Sequence, residues 1–437
     1  MEGFAPSKPV STANFSIISQ LLRGCKKVEL GIMSRNKTII FLGDGMADEA
    51  VPELGGKTPL QHARTPAMDS IARDGCSGTL LTLPPGFPTS SEVANMSVLG
   101  CDLPTEYCGR GPLEAAGKNI QLGKDDKAFR LNLTSVENGI LKDFSGGHVD
   151  QATANELIRT LNDHFGSDVV RFYPGVSYRN ILVLSGAQFS HKVKAEKPDD
   201  NQGEYIADHM PAALEPEAES TAEFLRKLMV EATALLEKSD ANKRHAKEGK
   251  PLVNGAWPWS GGKAGSLRTV REKYGITGAV ISAVDVIVGL GRCLGMDVIP
   301  VSGATGYIDT NYEGKADAAI NALKTHDLVY LHLEAIDEVS HEKNLLNKIR
   351  AIENFDSRVV GRVLAAIGAG VNAAVLPDHP VPVITGKHTR TPVPVAVRMV
   401  NRRPDGVKVF DEIACKEGSL GAMKNGDLMN LLFPGVA

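Results

Sequence analysis

The chain has 437 residues, 42% hydrophobic and 23% charged, with a net charge of −4. That length allows one large domain plus a smaller one, and the charge gives no electrostatic reason to expect nucleic acid as a partner. No run approaches the roughly 18 uninterrupted apolar residues of a membrane span, so no membrane association is expected.

Residues 1–36 are rich in Ser and poor in acids, with Lys8, Arg23, Lys26, Lys27 and Arg35 against Glu2 and Glu29. An organelle-targeting leader has this bias. A disordered tail or a mis-called start, with Met33 as the true one, is the plainer reading. Lys37–Gly43 (KTIIFLG) predicts a buried parallel strand running into Asp44-Gly45. Thr65–Asp74 predicts a helix, with Thr65 as cap, Pro66 at its first position and Gly75 after its end. Gly78–Leu83 predicts a second strand. The Pro84-Pro85-Gly86 loop then leads to Ser91, at the start of a helix that runs to Leu99. Backbone N–H groups at such a terminus attract phosphate.

The segment from 121 to 250 is less regular. It is polar over 192–204, helical from Pro216 to Lys238 and highly charged from Ala241 to Lys250. It is expected to be an inserted substrate-binding domain, with a catalytic domain formed by 37–120 and 251–437. Further strands are expected at Gly278–Ala283, Asp297–Val301, Asp327–His332 and Asn372–Leu376, and a helix over Leu345–Leu364. Alternating strands and helices predict an α/β fold whose mostly parallel sheet is flanked by helices on both faces. The 44 glycines fit its many tight turns, and no repeat interrupts it. The six cysteines form no Cys-x-x-Cys pair, which reads as a reduced, cytoplasmic protein.

Chemistry collects at the ends of these strands, where open α/β sheets bind their ligands. Asp337 and His341 are spaced i, i+4 after the Leu328–Leu333 run, so on a helix they share one face. Asp378 and His379 follow another apolar run, Asp44 follows the first strand, and His388 lies close behind. Each alone reads as a turn or a surface contact. Three strand ends carrying Asp or Asp-His are hard to ascribe to turns, and together they predict a two-metal site. Oxygen and imidazole ligands without thiolate suit Mn²⁺ or Zn²⁺, and Mg²⁺ less well. A metal beside Ser91 would lower its hydroxyl pKa and make it a nucleophile. By position alone, Ser91 reads as a helix cap.

Other motifs fall short. Leu54-Gly55-Gly56-Lys57-Thr58 resembles the end of a P-loop, but Val51 stands where its first glycine belongs. Gly289-x-Gly291 has the wrong spacing for a dinucleotide fingerprint and predicts close helix packing. Trp257-Pro258-Trp259-Ser260-Gly261-Gly262 could stack a ligand, but a loop buried by its two indoles is the commoner outcome.

Longer strings carry a family resemblance. They include Gly55–Leu60 (GGKTPL), Gly109–Ala116 (GRGPLEAA), Phe172–Arg179 (FYPGVSYR) and Gly303–Tyr307 (GATGY). From Lys37 to near the C-terminus the chain resembles the archaeal-type cofactor-independent phosphoglycerate mutases, within the alkaline phosphatase superfamily. The resemblance implies an alkaline-phosphatase-like core with a smaller inserted domain. It implies a phosphoserine intermediate and two divalent metals, with Mn²⁺ preferred. Asp44, Ser91, Asp378 and His379 would hold one metal, and Asp337, His341 and His388 the other. Ser91 would be the nucleophile, Arg110 and Lys273 would contact the transferring phosphate, and His148 and Arg179 would bind substrate. The partner expected is a small phosphorylated substrate interconverted between 3- and 2-phosphoglycerate. The chain departs from the family at Pro198-Asp199-Asp200, where Pro-His-Asp is common. Very similar strings occur in proposed homoserine kinases, so ATP-dependent phosphorylation of homoserine is the alternative. A catalytically inactive metal-binding regulator is a third reading, which the seven intact ligand positions disfavour. Nothing in the sequence indicates an oligomeric state.

Overall fold

Eight strands form the main sheet, in the order Asp297–Val298, Gly278–Ile281, Leu328–Leu333, Thr38–Gly43, Asn372–Leu376, Val393–Arg398, Cys76–Leu80 and Gly421–Met423. The computed structural model describes residue 3, residues 36–263, residue 265 and residues 267–434. The leader expected over 1–36 lies outside the described residues, apart from 3 and 36. Pairing is parallel throughout except at Val393–Arg398, which runs against both neighbours. That strand escapes sequence reading because Pro394 argues against a strand interior. Pro394 is accommodated where the strand pairs on one side only, with Thr79.

Strand alternation divides the core. Ile40, Leu42, Leu328, Tyr330, Ala374 and Leu376 pack in one apolar cluster with the Ser91–Val98 and Asp285–Cys293 helices. Ile39, Phe41, Val329, Leu331, Ala373 and Val375 pack in the other, with the Pro66–Arg73, Tyr312–Ala322 and Leu345–Asn354 helices. Both faces are covered, which is why these strands read as continuous apolar runs.

The expected Leu345–Leu364 helix is present, but a π-helical turn at Phe355–Val360 interrupts it before Gly361–Ile367. This turn carries Asp356 to the start of the Pro66–Arg73 helix. Its carboxylate accepts from the N–H groups of Ala67 (3.2 Å) and Met68 (2.7 Å). Thr65 occupies the cap position but makes no side-chain cap bond, so Asp356, 291 positions further along the chain, does the work expected of it. Gly289 does mark close packing. A Cβ there would lie 1.7 Å from the carbonyl oxygen of Leu113, on the Arg110–Gly117 helix.

A second, antiparallel sheet has the order Ile140–Asp143, Asp126–Glu137, Arg179–Ser185, Val170–Val176. The Gln151–Phe165 and Glu219–Glu237 helices share its apolar cluster. Its fifth strand is Gly255–Lys263, paired with Asp126–Glu137. The Trp257-Pro258-Trp259 motif is therefore strand and not loop, and it carries the sheet past residue 250. Pro258 is tolerated because this strand has a partner on one side only. No described helix is long and apolar enough to cross a membrane.

Asp356→Ala should leave two helix N–H groups without their acceptor. We expect a loss of about 1–3 kcal/mol in urea-unfolding stability; a change under about 0.5 kcal/mol would show that the remote cap is unimportant.

Candidate metal centre

Three central strands end in step. Leu42 lies beside His332 on one side and Leu376 on the other, and Gly43 lies beside Leu333. Continuing the same alternation, Asp44, His332, Glu334 and Asp378 reach the face occupied by the Ser91–Val98 helix. The N–H of Asp44 donates to Leu333 O at 2.9 Å. The next residue must be glycine. Gly45 has φ of 63°, and a Cβ there would meet Asp337 Oδ1 at 2.7 Å. This close approach sets the Asp44 turn against the Ala335–His341 helix.

Ser91 is the first residue of its helix. Asn95, one turn later, donates from Nδ2 to Ser91 O (2.8 Å) and to Asp378 Oδ2 (2.9 Å). Tyr330 in turn donates to Asn95 Oδ1. Ser91 Oγ lies 3.1 Å from His379 Nε2. The same nitrogen is 3.3 Å from Asp378 Oδ2 and 3.4 Å from Asp44 Oδ1. Beside this group, Asp337 Oδ2 is 3.2 Å from His341 Nε2, and Asp337 Oδ1 is 3.6 Å from His388 Nε2. The His379 and His388 rings stack at 3.8 Å. All seven sequence-predicted ligand residues thus meet beyond the carboxyl ends of the central strands.

The donor set fits divalent cations. Ligand atoms of Asp44, Asp378 and His379 lie within 4.8 Å of one another, and so do those of Asp337, His379 and His388. Asp44 Oδ1, Asp337 Oδ1, Glu334 Oε2 and the Nδ1 atoms of His379 and His388 are buried without a hydrogen-bond partner. Buried polar atoms are rarely left so unless a ligand completes them. Burial, reinforced by the neighbouring Asp378, Glu334 and Asp337 charges, pushes Asp44 well above the usual carboxylate range. Burial lifts Asp378 to about 7 and Glu334 to about 8, with Asp337 adding to both. Burial also drives His332 down to about 3 and His379 well below its usual value. Asp337 goes the other way. Burial opposes its ionisation, but the hydrogen bond and charge of His341 and the charge of His388 hold its carboxyl low. His341 rises to about 9 against burial, through its bond to Asp337. The site therefore concentrates carboxyl groups that burial and mutual repulsion keep from ionising, and a bound cation would favour their charged form.

A buried lysine braces the loops. Lys348 is fully buried and donates to Asp48 Oδ2 (2.7 Å) and Val381 O (2.8 Å). Asp48 Oδ2 also accepts from Val383 N at 3.0 Å. The segment after Asp44 is thereby tied to the segment after Asp378 and His379.

Arg110 lies at the head of its helix, with Nε 2.7 Å from Glu114 Oε1 and a guanidinium nitrogen 3.6 Å from Glu92, the neighbour of Ser91. Glu114 Oε2 also pairs with Arg130 at 3.2 Å, and Arg130 lies over the Trp259 ring at 4.5 Å. Arg179 covers the Tyr178 ring and joins the same electrostatic set through Glu114 and through Glu338 of the Ala335–His341 helix. His148 meets the Tyr178 ring edge-on at 6.0 Å. Lys273 stands apart from the residues brought together here. It is 7% exposed, and its ammonium donates to Glu106 Oε2 (2.6 Å) and Gly100 O (3.2 Å).

Sequence reading passed over His332, Glu334, Asn95, Glu114 and Arg130. The signal for His332 was a polar residue inside the apolar run LVYLHL. The signal for Arg130 was a charge in the middle of a long strand, where only a paired ion is buried at tolerable cost. Neither Trp257 nor Trp259 forms an open stacking surface. Both are buried, and their indole N–H groups donate to Glu196 O and Asn132 Oδ1.

An α/β sheet that gathers carboxylates, imidazoles and a helix-terminal serine beyond the carboxyl ends of its strands suits metal-assisted group transfer. Comparison with known proteins gives the family. A family model described as 2,3-bisphosphoglycerate-independent phosphoglycerate mutase matches residues 72–242. The enzyme of that name from Methanosarcina acetivorans is 47% identical over 400 residues, covering 91% of this chain and 99% of its own. A Pyrococcus horikoshii protein of known structure matches with a TM-score of 0.78 at 28% identity, covering 91% and 96% of the two chains. The cofactor-independent phosphoglycerate mutase of Thermoplasma acidophilum matches at 0.64 and 27%, covering 91% and 98%. The chain belongs to the 2,3-bisphosphoglycerate-independent phosphoglycerate mutase family. Nothing found favours the homoserine kinase alternative.

Two measurements bear on the site. Lys273→Met should cost about 1–3 kcal/mol in unfolding stability, because buried Glu106 loses its ammonium partner and keeps only the N–H groups of Asp102 and Arg268 and the exposed Arg268 guanidinium at 3.5 Å. Lost turnover with unchanged stability would instead assign Lys273 to the chemistry. Mn²⁺ at about 100 times its Kd should stabilise the fold by about 2.7 kcal/mol, and EDTA should remove the gain. No thermal shift with Mn²⁺, Zn²⁺ or Mg²⁺ would count against a metal centre.

Proposed function

We propose that this chain interconverts 3-phosphoglycerate and 2-phosphoglycerate through a phosphoserine on Ser91. The observation that carries the reading is the Ser91 hydroxyl. It stands at a helix N-terminus, 3.1 Å from His379 Nε2 and among the clustered carboxylates. Two divalent ions, Mn²⁺ by preference, would be held by Asp44, Ser91, Asp378 and His379 and by Asp337, His341 and His388. When bound, they favour the serine alkoxide and neutralise phosphoryl charge.

Ser91 Oγ attacks the substrate phosphorus. An O–P bond forms to serine, the O–P bond to glycerate breaks, and the proton given up by the serine hydroxyl ends on the departing glycerate oxygen. The N–H groups at the head of the Ser91–Val98 helix face the transferring group. Arg110, fixed by Glu114 and Glu92, offsets its charge. Arg130 and Arg179 hold the glycerate carboxylate, and His148 lines the same side. The segment 121–250, with the Gly255–Lys263 strand, acts as the substrate-binding domain and keeps water from the phosphoserine. Glycerate turns and takes the phosphoryl group back on its other hydroxyl, so no nucleotide is consumed. Five described cysteines are free thiols, which fits a reducing compartment such as the cytoplasm.

An enolase-coupled assay without nucleotide should show turnover of 3-phosphoglycerate. Ser91→Ala should lower it by roughly 10³-fold or more while the other ligands retain metal. Mass spectrometry of acid-trapped protein should find phosphate on Ser91. Turnover by Ser91→Ala at the wild-type rate would end the mechanism. Phosphohomoserine formed from homoserine and ATP, with no mutase turnover, would replace the substrate assignment.

A further inference from the structure

We infer that His332 is a positioning residue that decides which oxygen of Asp44 is offered to a metal; this rests on the metal-centre reading above. The two oxygens of Asp44 are in different situations. Oδ2 lies 2.8 Å from His332 Nε2, whereas Oδ1 is buried without a partner and faces His379. An imidazole that donates to Oδ2 removes it from competition and turns Oδ1 toward Asp378 and His379.

The surroundings of His332 select the tautomer needed for this. Its Nδ1 lies 3.2 Å from Ser282 Oγ. That oxygen already accepts from the N–H of Val284 at 3.0 Å, so its own hydrogen is free to point at Nδ1. Nδ1 is then the acceptor and Nε2 carries the proton. Glu334 Oε2 is the other acceptor near Nε2, but at 3.7 Å it is beyond hydrogen-bond range. The buried Lys315 ammonium donates to the backbone carbonyl of His332 at 3.2 Å. The strand beneath the ring is thus held as well as the ring itself. Asp378 is held through both oxygens: Oδ1 accepts from the N–H groups of Gly45 and His379, and Oδ2 accepts from Asn95 Nδ2 while lying 3.3 Å from His379 Nε2.

Without His332, Asp44 Oδ2 is a buried acceptor with no donor, next to an unpartnered Glu334 oxygen. The carboxyl is then free to rotate or to share a proton with Glu334. Outer partners of this kind are worth about 10–100-fold in metal affinity. The loss should be confined to the group containing Asp44, since His332 touches neither Asp337 nor its histidines among the described contacts.

The test is Mn²⁺ titration of the full chain, read as free Mn²⁺ by electron paramagnetic resonance, with thermal unfolding of each protein alongside. Asp378→Asn and Asp337→Asn identify the two classes of site. His332→Phe should weaken the class that Asp378→Asn removes by about 10–100-fold and leave the other class as in wild type. His332→Gln, whose amide can donate to Asp44, should recover most of that loss at the same folded stability. Wild-type affinity in a folded His332→Phe, or equal loss at both classes, would overturn the inference. Should His332→Phe not fold, Ser282→Ala serves in its place. It should weaken the same class selectively, and unchanged binding would overturn the inference. If neither Asp378→Asn nor Asp337→Asn alters Mn²⁺ binding, the metal-centre reading fails, and the inference fails with it.

Discussion

Parallel register at the middle of the main sheet is the constraint on which the rest of the site depends. The strands ending at Gly43, Leu333 and Leu376 stop in step, so the residues that follow are brought side by side. Those residues include Asp44, Glu334 and Asp378, with Asp337 one helical turn further on. Desolvating so many carboxylates together is costly, by several kcal/mol per ion even after relaxation. The protein offsets part of that with fixed donors: the N–H groups of Gly45 and His379, the amide of Asn95 and the ring of His332. The remainder is left for a cation. Helices packed on both faces of the sheet hold these groups in place.

Two buried ions extend the rigidity to the loops. Lys348 satisfies Asp48 and two carbonyls where the loops carrying Asp44 and His379 meet. Glu114 joins Arg110 to Arg130, and so joins the neighbourhood of Ser91 to the second sheet. Trp259 completes that link by lying against Arg130. An edge strand that contains a proline therefore has a clear task. It presents an aromatic platform that keeps a buried guanidinium oriented.

Much of this was legible in the linear sequence. The strand at Thr38–Gly43, the helix starting at Ser91 and the strand at Asn372–Leu376 follow from short apolar runs and their bounding residues. So does the parallel sheet, because these runs are apolar on both faces. The i, i+4 spacing of Asp337 and His341 and the Asp378-His379 pair signalled candidate ligands by type and position. The family resemblance then tied these segments together.

Other features depended on residues far apart in the chain. The helix at Pro66 is capped by Asp356 and not by Thr65, because a π-helical turn nearly 300 residues later reaches it. The Trp257 motif became a strand because the long Asp126–Glu137 strand offered it an edge. Lys273 carries a family signature but is bound to Glu106, a pairing that no local pattern reveals. His332 looks like an ordinary core position until the Asp44 carboxylate of the adjacent strand is set beside it. The sequence by itself determined the strands and helices that carry a strong local pattern, such as Thr38–Gly43 and Asn372–Leu376, because periodicity is local. Only the tertiary structure decided which oxygen of which carboxylate has a partner, because that depends on strands brought together across hundreds of residues.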